Sequence, residues 1–465
     1  MGGLQNEFID HSHLHVVRTA LWAALGAGAS GLLFCLALPP ADMWWLGWFA
    51  FVPLLVAVRG RGFLYGFLGG LLALLVCAAA VRSGVFYSDQ DQSGSSAWID
   101  TGCGLFGFVI AMSAGIWADR GTAKKPAIWF AAIGVSLEAV LLVKLPAHLA
   151  LTQYRQPAML YLASVGGIWL VSLLAWLANF WVAKLVLDRR YRWLPVLPVV
   201  LLTIAFIQRW PQPTGGLAVA AVQTEAVDEK TLTRLQMEAS IEGTSLAVWP
   251  EFSGLVMAPR GRTEALEKLA TTPGSASFVT SFEDDFSPLP HNVSAVFSPS
   301  GVSKLYYKRH LLGGEANMHT AGTQAVASTT PFGGVGLAIC YDSCFPASIR
   351  ETAGLDGVRV ITLPAVDPAS PHHFVAAIHA AFTPFRAAEN GIPIVRADGY
   401  GHSMIVDGDG QILSELGGGE GIARAAVSPP HMTLYRYAGD VVLYAAIALG
   451  LAGFFLFRTP RPGRS

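Results

Sequence analysis

Cys340 closes the apolar run GVGLAIC (334–340), and a turn and the Pro346-initiated stretch PASIRETAG follow it. A thiol at such a strand-to-helix elbow is presented to a substrate while the N–H of the next residue, Tyr341, points at the group under attack. That is the basis of oxyanion stabilisation. The thiolate needs an activator. His310, His372, His373 and His402 are candidates by residue type, but none stands at a diagnostic spacing. Two other signals are sharper. AVWPEFS ends a strand-like run and puts Glu251 at its edge, with Trp-Pro before it fixing a turn. YYKRH does the same with Lys308. Together they offer a proton acceptor, a fixed cation and a nucleophile. Read as packing alone, they are a buried thiol, a strand-end carboxylate and a solvated lysine of the kind that Lys304 represents.

Cys340 shares ICYDSC with Cys344, which reads as a packing or disulfide residue rather than a second nucleophile. No histidine spacing completes a zinc set around the pair, so neither a metal nor another cofactor is expected. Arg386 and Glu389, at i,i+3 spacing on a helix, read as a structural ion pair.

The elements that must hold these residues lie in residues 209–440. Strand-like runs occupy 217–223, 246–249, 276–282, 292–298, 303–308, 334–340, 358–363, 392–398 and 402–407, with helical stretches at 226–242, 263–271, 346–354 and 372–390. Near-continuous apolar strands alternating with helices predict an α/β domain with buried strands. WPQPTGG (210–216) reads as the connector leading into it.

The rest of the chain is of another kind. Of 465 residues, 53% are hydrophobic and only 14% charged, with a mean hydropathy of +0.46. A soluble domain carries about 25% charge, so an ordinary cytosolic enzyme, a disordered protein and a secreted disulfide scaffold are all excluded. Lys plus Arg is 31 against 32 for Asp plus Glu, which leaves no field to draw nucleic acid. Apolar runs at 19–38, 43–58, 63–81, 102–117, 126–143, 158–187 and 193–207 predict about seven transmembrane helices within 1–208, and 441–465 adds a last helix and a tail. Alternate loops and the tail concentrate Lys and Arg, which places both ends of the chain inside and 209–440 outside. Glu138, alone within a span, is either functional or a paired structural carboxylate. Trp44, Trp45 and Trp48 read as an interfacial aromatic belt.

Glu, Lys and Cys in that order, each at a strand end, resemble the nitrilase superfamily. With the membrane runs the whole chain resembles the apolipoprotein N-acyltransferase family of the bacterial cytoplasmic membrane. LALPPADMWWLGWFAFVPLLVAVRG (36–60), GFLYGFLGG (62–70), SVGGIWLVSLLAWLAN (164–179), WPE, YYKRHLL, ICYDSCFP, RAAENGIPIVRADGYG and TLYRYAGD carry the similarity. The resemblance implies a multi-pass α-helical membrane domain plus an αββα nitrilase-like domain. It implies Cys340 as nucleophile, Glu251 as general base and Lys308 as oxyanion stabiliser, helped by the N–H of Tyr341. It also implies the reaction: a phospholipid acylates Cys340 as a thioester, and the acyl chain passes to the α-amino group of a diacylglyceryl-modified lipoprotein. The enzyme would be a monomer of the inner membrane with its catalytic domain in the periplasm.

The chain departs from that family in three places. Glu315, in LLGGE, follows a shortened loop and is expected to hold Lys308 or the base. Asp342 stands where a glutamate is usual. PAVDPASPHH (364–373) replaces an aromatic loop. These leave open an N-acyltransferase with a different acceptor, a membrane-tethered amidase-like hydrolase, or a catalytically silent binding protein.

Overall fold

The computed structural model describes residues 3–83, 95–121, 125–141, 148–188, 216–225, 228–367 and 374–456. The apolar run 193–207, most of the connector, His372 and His373 lie outside them.

Helices α1 (Gly3–Ala37), α3 (Phe63–Arg82), α4 (Ser95–Arg120), α5 (Ala127–Leu141) and α6 (Pro157–Leu187) form the apolar bundle, and α13 (Val441–Leu456) joins it from the far end of the chain. Val16–Ala37, Phe63–Arg82 and Pro157–Leu187 are long and apolar enough to cross a membrane. Small residues set the spacing. A Cβ at Gly66 would sit 2.3 Å from the carbonyl oxygen of Ala114, and one at Gly70 2.5 Å from the Cα of Ala111. Glycines four apart thus let α3 lie directly on α4, as close helix contacts in lipid require. Trp129 on α5 anchors α13 by donating its indole N–H to the Gly450 carbonyl at 3.0 Å.

The run 43–58 does not form one helix. It folds as a 3₁₀ turn, Trp44–Trp48, followed by the short α2 (Val52–Val58), with Pro53 in its first turn. Asn179 of α6 fills the gap, accepting from the Phe51 amide and donating to the Gly47 carbonyl at 2.8 and 2.9 Å. Glu138 is wholly buried and accepts from the Leu149 amide and the Trp176 indole, with His148 beside it at 3.3 Å.

The second unit is two stacked sheets. One runs β13 (Gly421–Val427), β1 (Leu217–Gln223), β2 (Leu246–Val248), β3 (Ser277–Glu283), β4 (Asn292–Ser298), β5 (Gly301–Val302), with β6 (Tyr306–Tyr307) also on β4. The other runs β12 (Ile412–Glu415), β11 (Met404–Val406), β10 (Ile394–Asp398), β9 (Val358–Ala365), β8 (Gly333–Leu337), β7 (Val326–Thr330). Strand alternation explains the layers. Val219 and Ala221 face the second sheet, packing with Val335, Leu337, Val360 and Val395. Ala220 and Val222 face outward onto α7 (Glu229–Ala239) and α8 (Glu264–Ala270). Ile361 and Ile394 carry α9 (Pro346–Ala353) and α11 (Phe382–Asn390) on the opposite outer face. The result is the four-layer αββα sandwich.

Three details differ from the sequence reading. The strand over 303–308 breaks because the Ser303 hydroxyl accepts the Val296 amide at 2.9 Å, replacing a ladder bond. The helix over 372–390 divides into α10 (Phe374–Ala380) and α11, since Pro384 brings no N–H to the joining turn. β5, β7, β12 and β13 are additional; β13 pairs antiparallel with β1 and leads the chain back to the bundle.

The sandwich docks on the bundle through α11. Gly166 and Gly167 break α6, and the freed amide of Ile168 donates to the Glu389 carboxylate at 2.7 Å. Glu389 also pairs with Arg386 at 2.6 Å, both side chains fully buried. A short helix α12 (Leu434–Ala438) brings Tyr435 against Gly167, and the Tyr435 hydroxyl and the Trp169 indole both donate to Asp440.

Candidate active site

Cys340, the third residue beyond β8, opens a 3₁₀ turn (Cys340–Cys344), and after Phe345 Pro346 starts α9. Its backbone is left-handed, with φ at +48°. An L-residue seldom adopts this conformation without surroundings that impose it. Asp342 does much of that. Fully buried, it accepts the Ile339 amide at 3.0 Å, the Tyr306 hydroxyl at 2.6 Å and the His310 amide at 3.0 Å. The Ser343 hydroxyl adds a bond to the Cys340 carbonyl at 2.9 Å. Asp342 therefore braces the elbow rather than facing a substrate.

Glu251 follows β2. Its amide donates to the Ala365 carbonyl of the second sheet at 3.1 Å, and the next residue, Phe252, turns at φ +60°. Lys308 follows β6, its amide on the Asn292 carbonyl at 2.9 Å and its carbonyl receiving the Gly322 amide at 2.8 Å. Lys308 Nζ lies 2.9 Å from Glu251 Oε1 and 2.7 and 2.9 Å from the two oxygens of Glu315. Asn292 donates to the same Glu251 oxygen at 2.7 Å. Glu315 also accepts the Leu312 amide at 2.8 Å, which folds the shortened loop back onto the lysine.

These charges act on one another in a dry place. Burial pulls the Lys308 ammonium down, but Glu251, the Cys340 thiol and Glu315 outweigh it and hold the lysine protonated. Burial pushes the Cys340 thiol well up, Glu251 adds to that, and Lys308 opposes both. In the resting site the thiol is neutral and the ammonium is fixed beside a carboxylate. A proton can leave sulfur for Glu251 without creating a second unpaired anion. Tyr341 follows in the turn, its ring edge-on to Phe345 at 5.0 Å.

Of the histidines considered as activators, His310 lies on Asp342 and stacks on Phe345, and His402 sits 3.7 Å from Glu415. Among the described residues, the histidine beside the sulfur is His379, which the sequence reading did not single out. Cys340, Asp367 and His379 bring one sulfur, oxygen or nitrogen atom each within 4.8 Å of one another. That trio has the residue types of a metal set, but Asp367 is already engaged by both His379 and Arg396. A cation would compete with two existing ones, so the donor set suits an ion-pair network better. Asn292 was missed as well, because a polar residue opening an apolar strand looks like a strand end. Cys344 is buried and not disulfide-bonded.

The elbow is also part of the membrane domain's packing. Tyr341 and Cys344 belong to the same apolar cluster as Met159, Trp169 and Phe382, and Leu312, three residues before Glu315, packs against it.

Residues 217–437 match the carbon-nitrogen hydrolase family, and residues 30–181 match the apolipoprotein N-acyltransferase N-terminal domain. An apolipoprotein N-acyltransferase of Geobacter metallireducens is 28% identical over 91% of this chain and 93% of its own length. A deaminated glutathione amidase of Mus musculus is 31% identical over 28% of this chain and 45% of its own. Among solved structures, an amidase from Nesterenkonia sp. covers 50% of this chain and 97% of itself, at a TM-score of 0.42 and 22% identity.

Proposed function

Since the chain belongs to the apolipoprotein N-acyltransferases, the membrane-embedded branch of the carbon-nitrogen hydrolases, we propose the following course for its reaction. Cys340 Sγ attacks the ester carbonyl of a phospholipid as its proton passes to Glu251. Lys308 Nζ and the Tyr341 N–H hold the oxyanion. The tetrahedral adduct expels the lysophospholipid oxygen, which takes the proton back from Glu251, and an acyl thioester remains. The α-amino group of diacylglyceryl-cysteine then attacks the thioester and gives a proton to Glu251. Collapse forms the amide and returns that proton to the departing sulfur. Glu315 keeps Lys308 aimed throughout. A thioester acylates an amine readily where water is kept out.

The observation that carries this reading is the shared packing of the elbow and the bundle: Tyr341 and Cys344 lie in the apolar cluster that runs into α6. A nucleophile built onto a membrane bundle suits a lipid donor and a lipid-anchored acceptor. The Lys- and Arg-rich loops support a periplasmic catalytic unit in the inner membrane. Every group invoked comes from one chain, so a monomer suffices.

Intact-protein mass spectrometry tests the proposal. Detergent-solubilised protein exposed to phospholipid should gain one acyl chain, and Cys340→Ala should gain none. A diacylglyceryl peptide with a free amino terminus should discharge it to the peptide amine. An unmodified Cys340 would sink the acyltransfer course, and discharge to water at the same rate without peptide would make the protein a hydrolase.

A further inference from the structure

The reaction course uses Glu251, Lys308 and Glu315, and leaves unexplained a second charged cluster at the sulfur. Asp367 stands just past β9, in the segment where this chain departs from its family's pattern. It pairs with His379 of α10 and with Arg396 of β10, and Arg396 also bonds Asp398 at 2.7 Å. His379 Nδ1 lies 2.8 and 3.0 Å from the two Asp367 oxygens. Its Nε2 lies 3.1 Å from the Cys340 carbonyl oxygen and 3.1 Å from the Ser343 hydroxyl.

Those partners determine the state of the ring. A carboxylate and a peptide carbonyl only accept, so Nδ1 serves Asp367 and Nε2 serves the Cys340 carbonyl only when both carry a proton; Arg396 Nη2, itself a donor, stands further off, 3.4 Å from Nδ1. The Ser343 hydroxyl spends its own proton on the Cys340 carbonyl and can accept from Nε2. Serving both partners makes His379 an imidazolium, and one of its ring nitrogens lies within 4.8 Å of the Cys340 sulfur. The charge count shows why that matters. Glu251 and Glu315 set two negative charges against the one positive charge of Lys308, a balance that opposes ionisation of the thiol. Asp367 and Asp398 offset Arg396 and His379 only while the imidazole is charged.

We propose that His379, oriented by Asp367, is a positioning residue for the nucleophile: it pins the carbonyl of the left-handed Cys340 and brings to the sulfur, beside Arg396, a further positive charge from a helix remote from Lys308. The groups facing it are Asp367, Arg396, Cys340, Ser343 and Cys344, with Asp398 behind Arg396. Burial pulls the imidazole down and Asp367 more than restores it, to about 10, while Arg396 opposes. The ring stays charged throughout the neutral range. The inference rests on Cys340 being the nucleophile, as the reaction course has it.

Alkylation of Cys340 by iodoacetamide, followed by peptide mapping against pH on the detergent-solubilised full chain, reads the thiol without any lipid. His379→Gln keeps a donor for the Cys340 carbonyl and removes the charge. Its profile should move to higher pH by about one unit, about a tenfold loss of rate at fixed pH. Asp367→Asn leaves the imidazole without its carboxylate, so it titrates near neutrality, and the rate relative to wild type should fall between about pH 6 and about pH 8. A merely structural histidine gives a His379→Gln profile that superimposes on wild type, and an Asp367→Asn ratio that is flat with pH. Either result overturns the inference, and the second does so even if His379→Gln does not fold. Failed phospholipid acylation beside shifted alkylation profiles would count against the acyltransfer course alone.

Discussion

Asn292 donates its amide N–H to Glu251 Oε1, the same oxygen that faces Lys308 Nζ, at 2.7 Å. Glu251, the general base of the proposed reaction course, is thus held from two directions, by the Lys308 cation and by a neutral donor. Asn292 opens β4, and its own carbonyl receives the Lys308 amide, so one residue sets the backbone of Lys308 and the rotamer of Glu251.

Replacing Asn292 by Ala should therefore lower the acylation rate constant and leave phospholipid affinity nearly unchanged. A displacement of the base by about 1 Å costs on the order of a hundredfold. Single-turnover acylation of Cys340 at several phospholipid concentrations separates the two quantities. A change confined to the half-saturating concentration would mean that Asn292 serves binding instead.

Lys308 lies between two carboxylates, with its side chain only 2% exposed. Removing the cation alone leaves the buried Glu251 and the partly buried Glu315 facing one another. Breaking a buried pair in this way costs about 3–5 kcal/mol. Lys308→Met should melt well below wild type, and Lys308→Met/Glu315→Gln should recover part of the loss. Additive losses in thermal unfolding would show that the two glutamates do not share the lysine.

How much of this was legible depends on what each residue needs from its neighbours in the chain. Glu251, Lys308 and Cys340 each end an apolar run, and that local pattern is visible without coordinates. Glu315 could be expected near Lys308 from the family resemblance of its shortened loop, since a loop glutamate among glycines carries no such signal by itself. Asp367, His379 and Arg396 come from three different elements, and no spacing links them. His379 in particular sits among Ala and Phe on a helix that looks like plain core. The bundle was legible for the same reason as the strands, since apolar runs announce themselves. The break at Gly166–Gly167 was not, because two glycines in an apolar run are also what close helix packing uses.

That break supplies its own prediction. Gly167 has φ +71°, and a Cβ there would lie 2.4 Å from the Tyr435 ring. Gly167→Ala must both strain the backbone and displace the tyrosine that bonds Asp440. The variant should lose thermal stability and become sensitive to protease at the loop before α12. Resistance equal to wild type would mean that α11 alone holds the sandwich to the bundle.

The left-handed Cys340 makes a comparison that is free of chemistry, because alanine and glycine at this position equally lack the thiol. Alanine bears the Cβ penalty of the φ +48° backbone and glycine does not. Cys340→Gly should be more stable than Cys340→Ala by about 1 kcal/mol, whereas in an ordinary turn alanine is at least as stable. Calorimetric melts of the two variants decide it. Alanine melting higher would show that the elbow relaxes once the sulfur is gone.

The histidine beside the sulfur gives the pH dependence of stability a definite sign. The imidazole shifts from 6.5 when unfolded to about 10 when folded, since Asp367 outweighs burial. A raised folded value means that the folded form holds a proton that the unfolded chain releases earlier. The contribution is complete below pH 6.5, falls as pH rises above it and is gone above about 10. Asp367 works the other way. Burial pushes its carboxyl up, but His379 and Arg396 hold it below its usual value, so its contribution is complete above 3.8 and declines as pH falls below that. Between these limits the pair is at full strength. The melting temperature of wild type should therefore fall from pH 7 toward about pH 10 more steeply than that of His379→Gln, and the two curves should converge at the alkaline end. Parallel curves would mean that the ring is neutral in the folded protein, and a ring with only one N–H could not donate to both Asp367 and the Cys340 carbonyl.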